Sequence, residues 1–449
     1  MKRYVTPSGP KGRLLTGHLK DFQKDPLLFL RKLSKQYEDV AHFRFGPFQK
    51  VYLISNPYLI KEVLVTKQKH FVKSRDLTIL KPIIGEGLLT SEKDHHLKQR
   101  RLIQPSFRKT HITSYAEDMI KTTNNYINQW KDKEIRMISE DMMNITLGII
   151  TKTMFSMEFE ESYDTIGQPI ESVMTLAVKR MRSIIPTPLW IPTKVNRQYK
   201  NAINELNKEI YSIINKRRNS GQTTNDLLGI LMDARDEKNG AGMPDQQLRD
   251  ELMTIFLAGH ETTANALSWT LFLLSQNPRV ERKLNEEINN VLGDSELQPK
   301  HFMQLTYAQN IINESLRLYP PAYVIGRQVD KDVEIGNYFF KKGDMILLSQ
   351  YAMHRNEKYF EEPDKFIPER FDNNLLSSLP PYTYFPFGGG PRVCIGNHFA
   401  IMEAVLVLVS ILKRFRLTLA QPISEIKHQP LITLRPKRGI QMLVEKRDS

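Results

Sequence analysis

Cysteine is almost absent from this chain: Cys394 is the only one in 449 residues. A lone thiol cannot form an internal disulfide or a multi-cysteine metal site. That excludes a disulfide-stapled secreted scaffold and predicts a reducing, cytoplasmic compartment. Long hydrophobic runs are also missing. The longest, Ala404–Val409, is far below the roughly 20 residues a membrane-spanning helix needs. Met1–Lys20 is polar, with several Pro and Gly, and lacks the apolar core of a signal peptide. No transmembrane segment is expected. Internal repeats are absent, and no linker offers a place to divide the chain.

Hydrophobic residues make up 40% and charged residues 25%, ordinary values for a globular protein. The length alone would allow roughly three domains, but without a linker the expectation is one domain over residues 1–449. The net charge of +14 admits three readings. They are a solvated Lys-rich surface, attraction to an acidic protein partner, and nucleic-acid binding. No nucleic-acid motif accompanies the charge, so no nucleic-acid partner is expected.

Residues 41–54 alternate like a hairpin turning at Gly46-Pro47, and Asn56-Pro57 predicts a helix start. From about residue 92 to 320 the pattern is helical. It is broken at Pro186–Pro192, which holds Leu189, Trp190 and Ile191, and at Asn239–Gly242. Strand patterns follow at Val333–Tyr338 and Asp344–Leu348. Leu431–Leu434 and Ile440–Val444 look like a last hairpin. The fold class is mainly α with small β-sheets.

Asp245–Gln276 contains no proline and as one helix would be about 48 Å long, so its middle should be buried. Yet that middle reads Ala258, Gly259, His260, Glu261, Thr262, Thr263. Glycine is costly inside a helix, and a buried Glu needs a partner or a purpose. One reading is a glycine for close packing and a threonine bonded back to its own helix. The other is a local distortion that opens a groove over a ligand, where an acid and an alcohol relay protons.

Glu314 and Arg317 lie three apart on one face of a helix predicted over Thr306–Leu318, among Ile311, Ile312, Leu316 and Leu318. Pro368-Glu369-Arg370-Phe371 repeats the theme of charge in an apolar frame. A surface salt bridge would contribute little. The apolar neighbours instead predict a buried network of Glu314, Arg317 and Arg370 that pins the segment before Cys394. That segment, Phe387-Gly-Gly-Gly-Pro-Arg-Val-Cys394-Ile-Gly396, presents one thiol from a flexible turn. A thiol of this kind can complete a metal held by something else, as in haem, where the porphyrin fills four iron positions.

Four motifs now stand in order: Ala258-Gly-His-Glu-Thr-Thr263, Glu314-x-x-Arg317, Pro368-Glu-Arg-Phe371 and Phe387-x-x-Gly-x-Arg-x-Cys394-x-Gly396. Together they resemble a cytochrome P-450 over essentially the whole chain. The flavour is that of soluble bacterial members, similar to the haem domain of bacterial fatty-acid hydroxylases. The resemblance implies one triangular-prism-like domain with the long helix crossing a haem b (iron protoporphyrin IX). The chain ends at Ser449, so no fused reductase is expected. Cys394 is then the axial iron ligand. Backbone N–H groups around Val393, Ile395 and Gly396 soften its charge, and Phe387 packs near the sulfur. His96, Arg100, Arg327 and Arg392 match the positions that hold the haem propionates. His96 stands where many members have Trp. Glu261 and Thr262 match the acid–alcohol pair: Thr262 holds oxygen and a water, and Glu261 connects to solvent.

By the same resemblance Leu88, Leu89, Ala258, Ala322, Val324 and Ile325 line an apolar pocket, and Trp190 sits on a lid, an entry rim or a packing turn. The function implied is monooxygenation. One atom of O2 enters an apolar substrate (a fatty acid, terpene, steroid or similar secondary metabolite) by hydroxylation or epoxidation. Electrons come from a ferredoxin or flavodoxin with its reductase, docking near Lys98 and Arg101, and a monomer is expected. The alternatives are a peroxide-driven peroxygenase or rearranging enzyme, which an intact Glu261–Thr262 pair disfavours, and a non-enzymatic haem-thiolate sensor.

Overall fold

Asn56 caps its helix as predicted: its side chain accepts the Tyr58 and Leu59 amides, and Pro57 opens the first turn. The same local logic starts the Lys194–Ser220 helix, where the Thr193 hydroxyl accepts the Asn196 amide at 3.1 Å. These elements belong to a computed structural model, which describes residues 4–157, 166–181, 188–221, 224, 226–235 and 240–447. The breaks at Pro186–Pro192 and Asn239–Gly242 fall partly outside the described residues. Within them, Trp190 is 78% exposed.

The helical core forms around Asp245–Ser275, one unbroken α-helix buried on nearly every side from Leu248 to Leu274. A helix apolar all round must lie inside a large core. Ile138–Phe155 packs along it, and Thr306–Leu318 and Asn397–Arg414 flank it. Trp269 is fully buried and stacks on Tyr319 with ring centres 4.3 Å apart. Gly259 fits close packing: a Cβ there would come within 2.8 Å of Ile150 Cδ1. The helix runs unbroken through this point, and Thr262 bonds back to the Ala258 carbonyl.

A five-stranded sheet covers one flank. Its strands run in the order Val40–Phe45, Gln49–Ile54, Met345–Leu348, Ile325–Val329 and Phe71–Lys73. The predicted hairpin supplies the first pair. The second and third strands are parallel, and the rest are antiparallel.

Three strand expectations need correction. Val333–Tyr338 is not one strand but the first arm and turn of a hairpin, Val333–Ile335 with Tyr338–Phe340. Glu134–Met137 is a strand inside the stretch predicted helical. The terminal hairpin does not form. Leu434–Pro436 pairs with His428–Pro430, while Gln441–Lys446 lies between Phe415–Leu419 and Glu134–Met137. Long-range partners outcompete the local turn because they extend a three-stranded sheet. Among the described residues, no helix is long and apolar enough to cross a membrane.

Candidate active site

The Cys394 loop is shaped by backbone approach. Gly390 has φ +64°, and a Cβ there would strike the Leu64 carbonyl at 2.0 Å. Only glycine tolerates both conditions. The loop closes where the Cys394 amide donates to the Phe387 carbonyl at 2.9 Å. Helix Asn397–Arg414 begins directly after it. Cys394 presents open surface, yet burial is the largest influence on its thiol and raises its pKa. Surface surrounded by crowded protein describes an internal recess. The Gly396 backbone N–H and Arg100 oppose the rise, because both favour the thiolate.

Cations gather at one edge of this recess. His96, on the Lys93–Ile103 helix, is 3% exposed. Burial first, then the charges of Arg392, Lys73, Arg100 and Arg327, push its pKa down to about 3. The imidazole is therefore neutral at physiological pH and can donate only one ring N–H. Arg100 donates to the Val393 carbonyl at 2.8 Å, which ties its helix to the cysteine loop. Arg392 donates to the Ser91 carbonyl at 2.7 Å and pairs with Glu92. All four residues predicted for the propionates thus fall in one neighbourhood. Lys73 joins them and was missed. It lies directly opposite Arg327 across the sheet, on a three-residue strand that leaves no readable periodicity. Four cations around a neutral imidazole form a site for an anionic group, and the donor set fits the two carboxylates of a haem beside a thiolate.

Ala258 is exposed although it lies mid-way along a buried helix. Thr262 Oγ1 donates to the Ala258 carbonyl at 2.5 Å. Glu261 is buried and turns from Thr262: its Oε1 accepts the Thr433 hydroxyl at 2.5 Å, and Asn265 donates to that hydroxyl at 3.2 Å. The expected link from Glu261 to solvent is replaced here by Thr433, whose position the sequence pattern did not reveal. Of the predicted pocket residues, Ala322 is exposed, and Leu88, Leu89, Val324 and Ile325 are half-buried. Ile325 Cδ1 lies 3.4 Å from a Cβ built on Gly388, beside the cysteine loop. Val324 packs toward the clusters of Phe43 and Tyr323.

The predicted ion network supports the loop from behind. Glu314 and Arg317 are both fully buried. Arg317 Nε and Nη2 donate to the two Glu314 oxygens at 2.6 and 2.8 Å, and Arg370 Nε reaches Glu314 at 3.3 Å. Arg317 also donates to the carbonyls of His354, Pro363 and Lys365. His354 Nε2 in turn accepts the Phe385 amide at 3.0 Å, and the Phe385 carbonyl accepts the Gly388 amide at 2.9 Å. This chain of bonds runs from the ion pair to the cysteine loop. Glu369, by contrast, faces outward to Arg279, Lys283 and Tyr307.

A mostly helical fold whose lone thiol lies beside a cluster of cations has the parts that a haem-thiolate protein requires. The family model described as Cytochrome P450 matches residues 7–444, and the chain belongs to that family. It is similar to cyclooctatin synthase of Streptomyces melanosporofaciens, at 34% identity over 94% of this chain and 91% of that protein. Cyclooctat-9-en-7-ol 5-monooxygenase of the same organism is 31% identical over 92% of this chain and 90% of its own length. Pentalenene oxygenase of Streptomyces avermitilis is 28% identical over 98% and 97%. The protein is a P-450 monooxygenase, an oxidoreductase that uses haem, O2, an organic substrate and a redox partner.

Proposed function

We propose that this enzyme oxidises a cyclic terpene alkene or alcohol. Two observations support the substrate class: Leu88, Leu89 and Ile325 are half-buried and Ala258 is exposed mid-helix, and three relatives have names that describe such compounds or their oxidation. The observation that carries the site reading is Cys394 opening onto a recess whose edge is lined by His96, Lys73, Arg100, Arg327 and Arg392.

In this reading Cys394 Sγ would hold the iron of a haem b. Arg100 and the Gly396 N–H stabilise its negative charge. The cation cluster and the neutral His96 N–H hold the propionates. The bound haem supplies dioxygen activation and transfer of one oxygen atom. Thr262 Oγ1 donates its hydrogen bond to the Ala258 carbonyl; released from that acceptor, the hydroxyl would hold or pass a proton. Glu261 must exchange its Thr433 partner before it can pass a proton. Leu88 and Leu89 exclude water and orient the apolar substrate. Exposed Lys98 and Arg101 lie on the helix that Arg100 ties to the cysteine loop. They suit docking of an acidic ferredoxin or flavodoxin, consistent with the +14 charge. A single haem domain acting as a cytoplasmic monomer is part of the same proposal.

The test is a titration of the purified haem protein with pentalenene, other cyclic terpene alkenes and alcohols, and long-chain fatty acids. The haem spectrum reads displacement of iron-bound water. Terpenes should shift the spectrum at lower concentration than fatty acids; the reverse order would reject the substrate class.

A further inference from the structure

Arg249, Asp250 and Glu251 are three consecutive charged residues buried near the start of the central helix, with Glu251 at 0% exposure and Asp250 at 4%. They face a segment two of whose amides, Glu86 and Leu88, bond to this helix. Asp250 Oδ2 accepts the Glu86 amide and Glu251 Oε2 accepts the Leu88 amide, both at 2.8 Å. Gln247 Nε2 donates to Glu251 Oε1 at 2.6 Å. Arg249 donates to Asp250 at 2.8 Å, to the Ile83 carbonyl at 2.5 Å, and to Asn207 on the Lys194–Ser220 helix. The approach is close enough to require glycine. A Cβ on Gly85, at φ +58°, would meet the Asp250 carboxylate at 2.1 Å, and one on Gly87 would meet Thr254 Oγ1 at 2.1 Å.

The segment is held internally by the Thr90 hydroxyl donating to the Gly85 carbonyl at 2.6 Å. At its far end Arg392 donates to the Ser91 carbonyl at 2.7 Å. Residues 85–91 therefore bridge the central helix and the cysteine-loop arginine, and Leu88 and Leu89 ride on that bridge. A buried backbone N–H left without an acceptor would cost its full desolvation, so each of these carboxyl acceptors matters. Two of them in succession fix the main chain on both sides of Gly87.

We propose that Asp250 and Glu251 are positioning residues for substrate selection. They latch residues 85–90 onto the central helix and so set how far the Leu88–Leu89 wall stands from the bound substrate. Arg249 extends the latch to the Lys194–Ser220 helix, so that two walls move together. The inference rests on the reading that Leu88 and Leu89 face the substrate beside the haem.

The test uses the holoenzyme with two probes, imidazole and 1-phenylimidazole, each read by the Soret shift on binding iron. Imidazole is too small to depend on the wall; the phenyl group is not. Glu251→Ala should weaken 1-phenylimidazole binding roughly tenfold, about the effect of leaving one buried N–H unpaired, and leave imidazole binding within about twofold. Glu251→Gln keeps an acceptor for the Leu88 amide and should restore the phenylimidazole affinity. Hydrogen exchange should accelerate in peptides spanning residues 84–92 of Glu251→Ala and stay near wild type in the Gln variant. Equal effects on both probes, no effect on either, or no rescue by Gln would overturn the proposal, as would unchanged exchange in residues 84–92. If the wild type itself gave no Soret shift with imidazole, the haem-thiolate reading would fail, while the exchange experiment would still judge the latch.

Discussion

Replacing Arg317 by Leu should remove more stability than any other single change near the site. Every N–H of this guanidinium has an acceptor: two go to Glu314, and the rest to the carbonyls of His354, Pro363 and Lys365. Breaking a buried pair by removing one partner costs about 3–5 kcal/mol, because the remaining charge stays buried. Arg370, at 3.3 Å, offers Glu314 only partial compensation. Each abandoned carbonyl adds roughly 1–3 kcal/mol of lost solvation. A total of at least about 5 kcal/mol is comparable to the whole stability of an ordinary domain, about 5–15 kcal/mol. Arg370→Leu should cost much less, since its contact with Glu314 is longer and its side chain reaches solvent. Urea unfolding followed by far-UV circular dichroism, together with loss of the haem band, would rank the variants. The haem band of Arg317→Leu should disappear at lower urea than its helical signal, because the loop held through His354 and Phe385 is released first. If Arg317→Leu and Arg370→Leu both unfolded within about 1 kcal/mol of wild type, the account of the network would be wrong.

Cys394→Ser should retain haem poorly and lose the thiolate signature of the reduced carbon monoxide spectrum; an unchanged spectrum would refute the ligand assignment. Thr262→Ala removes the hydroxyl bonded to the Ala258 carbonyl, so reductant should still be consumed while peroxide replaces product, and unchanged product per reductant would reject the proton role. Gly259→Ala gains about 1 kcal/mol of helix propensity but presses a methyl against Ile150 Cδ1, where overpacking costs about 1–3 kcal/mol; a small net loss that Ile150→Val relieves is expected, and no relief would discount the packing role. Burial lowers His260 from 6.5 to about 4, so between those pH values the unfolded chain binds the extra proton and stability falls as pH drops through the window, by about 3 kcal/mol in all. His96 and His354 shift in the same direction. Glu403, raised by burial to about 8, works oppositely and costs stability as pH rises from 4.5 toward 8. The gap between the denaturant midpoints of wild type and His260→Phe should shift in favour of the variant from pH 7.5 to pH 5, and parallel profiles would contradict the His260 shift.

The parts of this site that local sequence could reveal were those set by local chemistry. The glycine turn before Cys394, the i, i+3 spacing of Glu314 and Arg317, and the proline-free stretch from Asp245 each report a nearby physical requirement. The strand pairings were not readable in the same way. Gln441–Lys446 pairs with Glu134–Met137, some three hundred positions away, and alternation identifies a strand without naming its partner. Lys73 was hidden because a three-residue strand has no period to detect. Glu261 was placed by its motif, but its orientation depends on Thr433, in a segment read as half of a hairpin that does not form. The Arg249–Glu251 run carries no motif; only the fold shows that it bonds to the Gly85–Thr90 segment and the Lys194–Ser220 helix.

A common principle connects the buried charges. Arg317 binds three carbonyls of the irregular stretch before the cysteine loop. Asp250 and Glu251 bind two amides of the Leu88 segment. Arg392 and Arg100 bind the carbonyls of Ser91 and Val393. In each case a buried ionisable side chain satisfies backbone groups of an irregular segment. A neutral side chain could offer fewer or weaker bonds at the same points. Buried ionisable groups on rigid helices therefore fix the course of irregular segments that could not hold it alone.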